Sequence, residues 1–312
     1  MKSIPPRLAD VMLGLATGDA LGVPFEFRSR ALLDRAPCTG MVGFGSHNQP
    51  PGTWSDDTSM ALILLETLQT GGSLDDELAG YRRWWREGYR TPHGVCFDVG
   101  GTTAQALGSG KGQTGESSNG NGSLMRIAPL AFFVSHLPAE VRRVRCFAES
   151  AVTHAHLRSQ LGCWLFVEVL LEVLGGLPVS EALEEAWARV DSWATRGGAA
   201  KEWTHYTRCR SPIALAPRAE ISSSGYVVHT LEAALWCVLT TSDYRDATLA
   251  AVNLGSDTDT TGAVTGALAG LMYGREAIPI DWLEKLKGQE QLDEVLCAED
   301  GGLLVWSLAA KG

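Results

Sequence analysis

No Cys-x-x-Cys pair occurs among the seven cysteines (Cys38, Cys96, Cys146, Cys163, Cys209, Cys237 and Cys297). That removes the zinc-ribbon spacing and a disulfide framework, and scattered single thiols suit a reducing cytoplasm. Long hydrophobic runs are also missing. The longest small-apolar stretch, Gly262 to Tyr273, is too short to span a bilayer. Residues 1–11 lack the apolar core of a secretion signal. Basic charge is scarce: 26 Lys and Arg against 36 Asp and Glu leave a formal charge of −10. Such a chain is a poor partner for nucleic-acid phosphates and, by sign alone, for any phosphate ligand. There is no Gly-X-Y period, no Gly-Lys-Ser/Thr, no HExxH and no twelve-residue EF-hand loop. Collagen, P-loop, zincin and EF-hand readings are thereby excluded. The expectation is a cytoplasmic protein with no membrane partner.

What is present is a globular composition, 45% hydrophobic and 20% charged over 312 residues. Helical apolar spacing runs through 7–21, 58–68, 74–89, 124–133, 139–152, 158–174, 180–195, 225–239, 244–252 and 260–273. Alternating strand-like runs are few. Long loops fall at 23–53, 108–122 and 198–224, and long loops in a compact domain are often functional. With no linker or charge run to split it, the chain reads as all-α, one compact multi-helix domain over 1–312. The 35 glycines exceed an average share. Two helices carry them every fourth residue: Gly14, Gly18, Gly22, and Gly262, Gly266, Gly270. That spacing puts glycine on one face, where two helix backbones can approach closely.

Acids gather at three helix boundaries. Asp19 lies in Gly18–Gly22, followed by Glu26. Asp56 and Asp57 follow Ser55, and Asp257 and Asp259 alternate with Thr258 and Thr260. Helix capping accounts for one acid at each start. Paired carboxylates repel unless something neutralises them, and a hard divalent cation prefers these oxygen donors. Two such clusters on separate helices can hold two ions about 3.5–4 Å apart.

A small glycine-rich loop, Ser117 to Arg126, runs toward an apolar stretch, and free backbone N–H groups there suit a phosphate, although a plain flexible loop fits equally well. His154 and His156, two apart, do not share a helix face, so a ligand contact or a helix cap suits them better than zinc. Asp98 precedes Val99-Gly100-Gly101-Thr102-Thr103 and, on local grounds, is a helix N-cap.

Taken in order, these stretches resemble the ADP-ribosylglycohydrolase family, in particular its bacterial dinitrogenase reductase-activating branch. The matching segments are Gly14–Gly22 with Glu26, Ser55-Asp56-Asp57-Thr58, Phe97-Asp98, Asn119–Arg126, Thr153–His156 and Ser256–Thr260. The resemblance implies a dinuclear Mg²⁺ or Mn²⁺ cleft held by Ser55, Asp56, Asp57, Asp257, Asp259 and Thr260. It implies Glu26 and Asp98 as the catalytic residues, Glu26 as a metal ligand or acid/base group and Asp98 as an acid/base group. It also implies a substrate site made of Gly100, Gly101, Thr102, Ser118, Asn119, Gly120, Asn121, Gly122, Ser123, Met125, His154 and Tyr226. Ser55 stands where many members carry Thr, which keeps the hydroxyl. Gly101 stands where Asn is frequent, which changes a polar contact near the ribose.

The activity so implied is hydrolysis of the N-glycosidic bond of ADP-ribosyl-arginine on a protein, releasing ADP-ribose, by a monomer. The two cations would orient the distal ribose and activate water. Glu26 or Asp98 would move the proton, through an oxocarbenium-like transition state, with direct attack and ring opening both open. Three alternatives remain: cleavage of a serine, nucleobase or ester linkage; a non-catalytic ADP-ribose-binding relative; and an immunity protein against an ADP-ribosylating toxin.

Overall fold

The computed structural model describes residues 7–296; Cys297 and both ends of the expected 1–312 domain lie outside them. Helices account for the regular structure, and no strand forms among the described residues, only isolated bridges such as Gly120 with Tyr226. In chain order they are α1 (Leu8–Gly22), α2 (Arg30–Leu33), α3 (Asp56–Thr70), α4 (Leu74–Glu87) and α5 (Gly101–Ser109). There follow α6 (Leu130–Val134), α7 (Ala139–Ala151), α8 (Leu157–Leu174), α9 (Val179–Ala194) and α10 (Ala200–Trp203). The last are α11 (Val227–Thr240), α12 (Tyr244–Val252), α13 (Thr258–Tyr273), α14 (Ile280–Lys285) and α15 (Gln289–Leu296). The all-α expectation holds.

Helix boundaries follow local chemistry. Ser73 and Asp76 form a reciprocal capping box at the start of α4, and Asp243 caps α12 through the Asp246 amide at 2.7 Å. His156 caps α8 by accepting from the Arg158 amide, the capping role expected of one of the two histidines. One expected helix is mostly absent. Residues 124–129 form turns, and only Leu130–Val134 is helical, because Pro129 cannot sit inside a helix. Conversely, α5 is a helix that lacked a visible apolar period, and its N-cap is Gly100 rather than Asp98.

The centre of the molecule is α1 packed against α13. Every residue of α1 except Asp10 is buried, as is all of α13 up to Leu271. The glycine period explains how close they come. A Cβ on Gly14 would stand 2.2 Å from the Gly266 carbonyl oxygen, and one on Gly18 would stand 2.1 Å from that of Gly262. A Cβ on Gly22 would fall 2.4 Å from the Asp259 backbone. The contacts advance along α1 as they retreat along α13, so the helices run antiparallel. This brings the C-terminus of α1, and Glu26 beyond it, beside the N-terminus of α13, where Asp257 and Asp259 sit. The stretch Leu8–Phe25 is long and apolar enough to cross a membrane, but 94% of it is buried inside this fold. Its apolar character is that of a core helix.

Candidate active site

The N-terminus of α3 is built by an acid from another helix. Asp19 of α1 accepts from the Ser55 amide at 2.9 Å and from the Thr58 amide at 3.0 Å. It also accepts from the Ser55 hydroxyl at 2.8 Å and the Thr58 hydroxyl at 2.6 Å. Those are the amides a helix start leaves orphaned. Ser55 and Asp257, the N-cap residues of α3 and α13, make no side-chain capping bond. Capping therefore does not occupy Asp56, Asp57 or Asp257. Burial pushes Asp19 up to about 6 despite the bonds from Thr58 and Ser55.

Asp57 is fully buried, Asp56 and Asp259 nearly so, and Asp257 is half-buried. Burial first, then repulsion from neighbouring carboxylates, raises Asp56, Asp57 and Asp259 well above the ordinary aspartate value. Three carboxylate oxygens of this cluster, Asp57 Oδ1, Asp257 Oδ1 and Asp259 Oδ2, are buried without a hydrogen-bond partner among the described residues. Unpaired buried oxygens of one sign are costly. Hard oxygen donors left vacant in this way are the chemistry a divalent cation takes. Glu26, His47, Asp98 and Asp259 each offer a ligating atom, all within 4.8 Å of one another. The residues fit such an ion.

Glu26 is held from the loop before α3. His47 Nε2 is hydrogen-bonded to Glu26 Oε2, and the Ser46 hydroxyl donates to the Glu26 carbonyl at 2.5 Å. Gly45, at φ 58°, makes the turn possible: a Cβ there would meet the Pro24 carbonyl oxygen at 2.0 Å. Burial pushes Glu26 up to about 7, and the bond to Glu26 raises His47 above the ordinary imidazole value. Both shifts favour protonation, so the pair retains a proton toward neutrality. Asp98, at φ 54°, joins this group instead of capping α5, and burial raises it as well. Burial, with Asp56 and Asp98 nearby, pushes the Cys96 thiol up to about 12, which removes it as a nucleophile.

A cleft of about 430 Å³ opens over the acids. Of the expected residues, Glu26, Asp56, Asp98, Gly100, Gly101, Thr102, Gly120, Asn121, Gly122, Met125, His154, Asp257 and Thr260 line it. Ser55, Asp57 and Asp259 lie behind that lining. Ser118 and Asn119 are buried: the Asn119 amide donates to the Glu116 carbonyl, and its oxygen accepts from Ser159 at 3.1 Å. The Ser123 hydroxyl is inside the core, 2.9 Å from that of Ser150. Tyr226 meets the loop through its backbone, while its ring packs edge-on against His229 at 4.9 Å. Burial lowers His154 to about 3, so it is neutral, and its Nδ1 lies 2.8 Å from the Thr153 hydroxyl.

The glycine-rich loop and the acids are joined by Asn121, whose amide donates to Asp257 Oδ2 at 2.7 Å and to the Thr230 hydroxyl at 2.9 Å. Beneath the loop, buried Arg126 donates to the Gly122 carbonyl and, at 3.2 Å, to that of Glu149. Sequence reasoning missed His47, Phe27 and Asp19 as parts of the site. Asp19 sits inside a recognised cluster, so its signal was present, whereas a single histidine in a 31-residue loop carries none.

The family model described as ADP-ribosylglycohydrolase matches residues 2–309. The chain is 36% identical over 299 residues to the ADP-ribosylarginine hydrolase Tri1 of Serratia proteamaculans (strain 568), covering 91% of this chain and 76% of that protein. It is 30% identical over 294 residues to the ADP-ribosyl-[dinitrogen reductase] glycohydrolase of Rhodospirillum rubrum, covering 91% of each. A solved structure described as an ADP-ribosylglycohydrolase-related protein complex superposes with a TM-score of 0.74 at 32% identity, over 97% of this chain and 98% of that one.

Proposed function

The chain belongs to the ADP-ribosylglycohydrolase family of enzymes, and on that premise we propose that it cleaves the N-glycosidic bond between ADP-ribose and the guanidinium of a modified arginine on a protein. The observation that carries the metal-dependent form of this reading is the set of three partnerless carboxylate oxygens on Asp57, Asp257 and Asp259. With Ser55, Asp56 and Thr260 they would hold two divalent cations, Mg²⁺ or Mn²⁺. When bound, these supply charge neutralisation, orientation of the distal ribose and a lowered water pKa. The similarity to an ADP-ribosylarginine hydrolase supports arginine as the linkage.

The chain's own groups then divide the work. Glu26, near 7, can give or take a proton at neutral pH. His47 fixes its carboxyl orientation. Asp98 favours the positive charge that develops on the ribose. The backbone from Gly120 to Gly122, with Met125, receives the diphosphate. Neutral His154 closes that part of the cleft without adding charge. We read the catalytic unit as one domain over 1–312, since its main hydrophobic core draws on residues from Leu8 to Leu296, with one small cluster around Ile213 and Ile221 beside it. A cytoplasmic setting suits the six unpaired thiols among the described residues.

The test is a product assay on a panel of arginine-, serine-, nucleobase- and ester-linked ADP-ribose with Mn²⁺ present. The reading expects free ADP-ribose chiefly from the arginine linkage. Preferential turnover of another linkage would replace it.

A further inference from the structure

We propose that Phe27 is the platform on which the leaving guanidinium lies, and hence the residue that biases the cleft toward a planar cationic leaving group. This rests on the arginine-linked reading given above. Phe27 lines the cleft and is nevertheless 73% exposed, whereas His154 in the same cleft is 2% exposed. The glycine-rich loop and His154 thus close the buried part, and Phe27 stands at the solvent side. A leaving group still attached to a protein has to be on that side.

The backbone holds Phe27 there at a cost. Its φ of 63° is left-handed, which is rare for an aromatic residue. Two backbone hydrogen bonds impose it: Phe27 donates to the Ser256 carbonyl at 2.6 Å, and Ser256 donates to the Arg28 carbonyl at 2.8 Å. Packing does not repay the exposed ring, since its aromatic neighbour is His47, 5.7 Å away. His47 in turn lies 5.4 Å from Phe97, so three rings form a wall beside Glu26 and Asp98. Strain with an exposed aromatic at a cleft mouth points to a ligand contact. An aromatic face attracts a planar cation. A serine hydroxyl or an ester gains nothing from it.

The experiment is steady-state kinetics with Mn²⁺ on arginine-linked and serine-linked ADP-ribosyl peptides. Wild type is compared with Phe27→Ala, Phe27→Leu and Phe27→Trp. Ala and Leu should raise KM for the arginine-linked peptide about two- to five-fold with kcat little changed, and Trp should restore it. KM for the serine-linked peptide should not move. Equal changes on both peptides, no change at all, or a Leu variant as good as wild type would overturn the inference alone. A wild type that cleaves the serine-linked and not the arginine-linked peptide overturns the reading beneath it, and the inference with it. Where wild type turns over only the arginine-linked peptide, Leu against Trp decides.

Discussion

Asp19 on α1 accepts hydrogen bonds from both the amide and the hydroxyl of Ser55, at 2.9 and 2.8 Å, across 36 residues of sequence. One carboxylate thereby sets the start of the helix that carries Asp56 and Asp57. It also aims the Ser55 oxygen, which lies 2.9 Å from Asp57 Oδ2. Asp19→Asn should place an amide donor against donors. We expect about 1–3 kcal/mol of lost stability in urea unfolding. Affinity for Mn²⁺ by calorimetry should weaken about 10–100-fold. Unchanged affinity would separate Asp19 from the site.

The acid cluster makes stability depend on pH in a definite sense. Glu26 rises from 4.5 to about 7 and Asp19 from 3.8 to about 6, both chiefly by burial. The folded protein binds these protons more tightly than the unfolded chain does. Their stabilisation is fully present below about pH 4 and is lost as pH rises through 6 to 7. Asp57 is raised in the same direction, so in metal-free protein the advantage of Asp57→Asn over wild type should grow as pH rises. The melting-temperature increase on adding Mn²⁺ to wild type should be small at pH 5 and larger at pH 7.5, since ions and protons compete for the same oxygens. An equal increase at both pH values contradicts this.

Asn121 is the link between the loop and the acids. Asn121→Ala removes the 2.7 Å bond to Asp257 and leaves that carboxylate unoriented. About a 10–100-fold loss in metal affinity is expected, with the fold retained by circular dichroism. Wild-type affinity would show that Asp257 is oriented by other means.

The glycine contact is tested by Gly18→Ala, whose methyl would stand 2.1 Å from the Gly262 carbonyl oxygen. A loss of about 1–3 kcal/mol or more is expected in denaturant unfolding. Activity should fall too, because α13 carries Asp257 and Asp259 at the end that would shift. Gly108→Ala in α5 is the control: its methyl meets nothing within 4 Å, so no loss is expected.

Much of this was legible in the sequence because it is local or periodic. The fourfold glycine spacing announced the α1–α13 contact, and the paired acids at Asp56 and Asp257 announced unpaired charge. What stayed hidden depends on distant partners. Capping was the obvious use for Ser55 and Asp257, and only the structure shows Asp19 arriving from α1 to cap α3 instead. His47 reaches Glu26, and Phe27 the cleft, through turns fixed by Gly45 and Ser256, contacts that no periodicity encodes. The turns at 124–129 read as helix because their apolar residues face the core without a helical backbone.

The central claim is that the acid cluster works as a cation site for cleaving an ADP-ribosyl bond. The most direct measurement is ADP-ribose release from arginine-modified protein after chelator treatment, and again after adding back Mn²⁺ or Mg²⁺. The account predicts near-complete loss with chelator, restoration by either or both ions in wild type, and no restoration in Asp57→Asn or Asp259→Asn. Turnover insensitive to the chelator, or full activity in those variants, would contradict it.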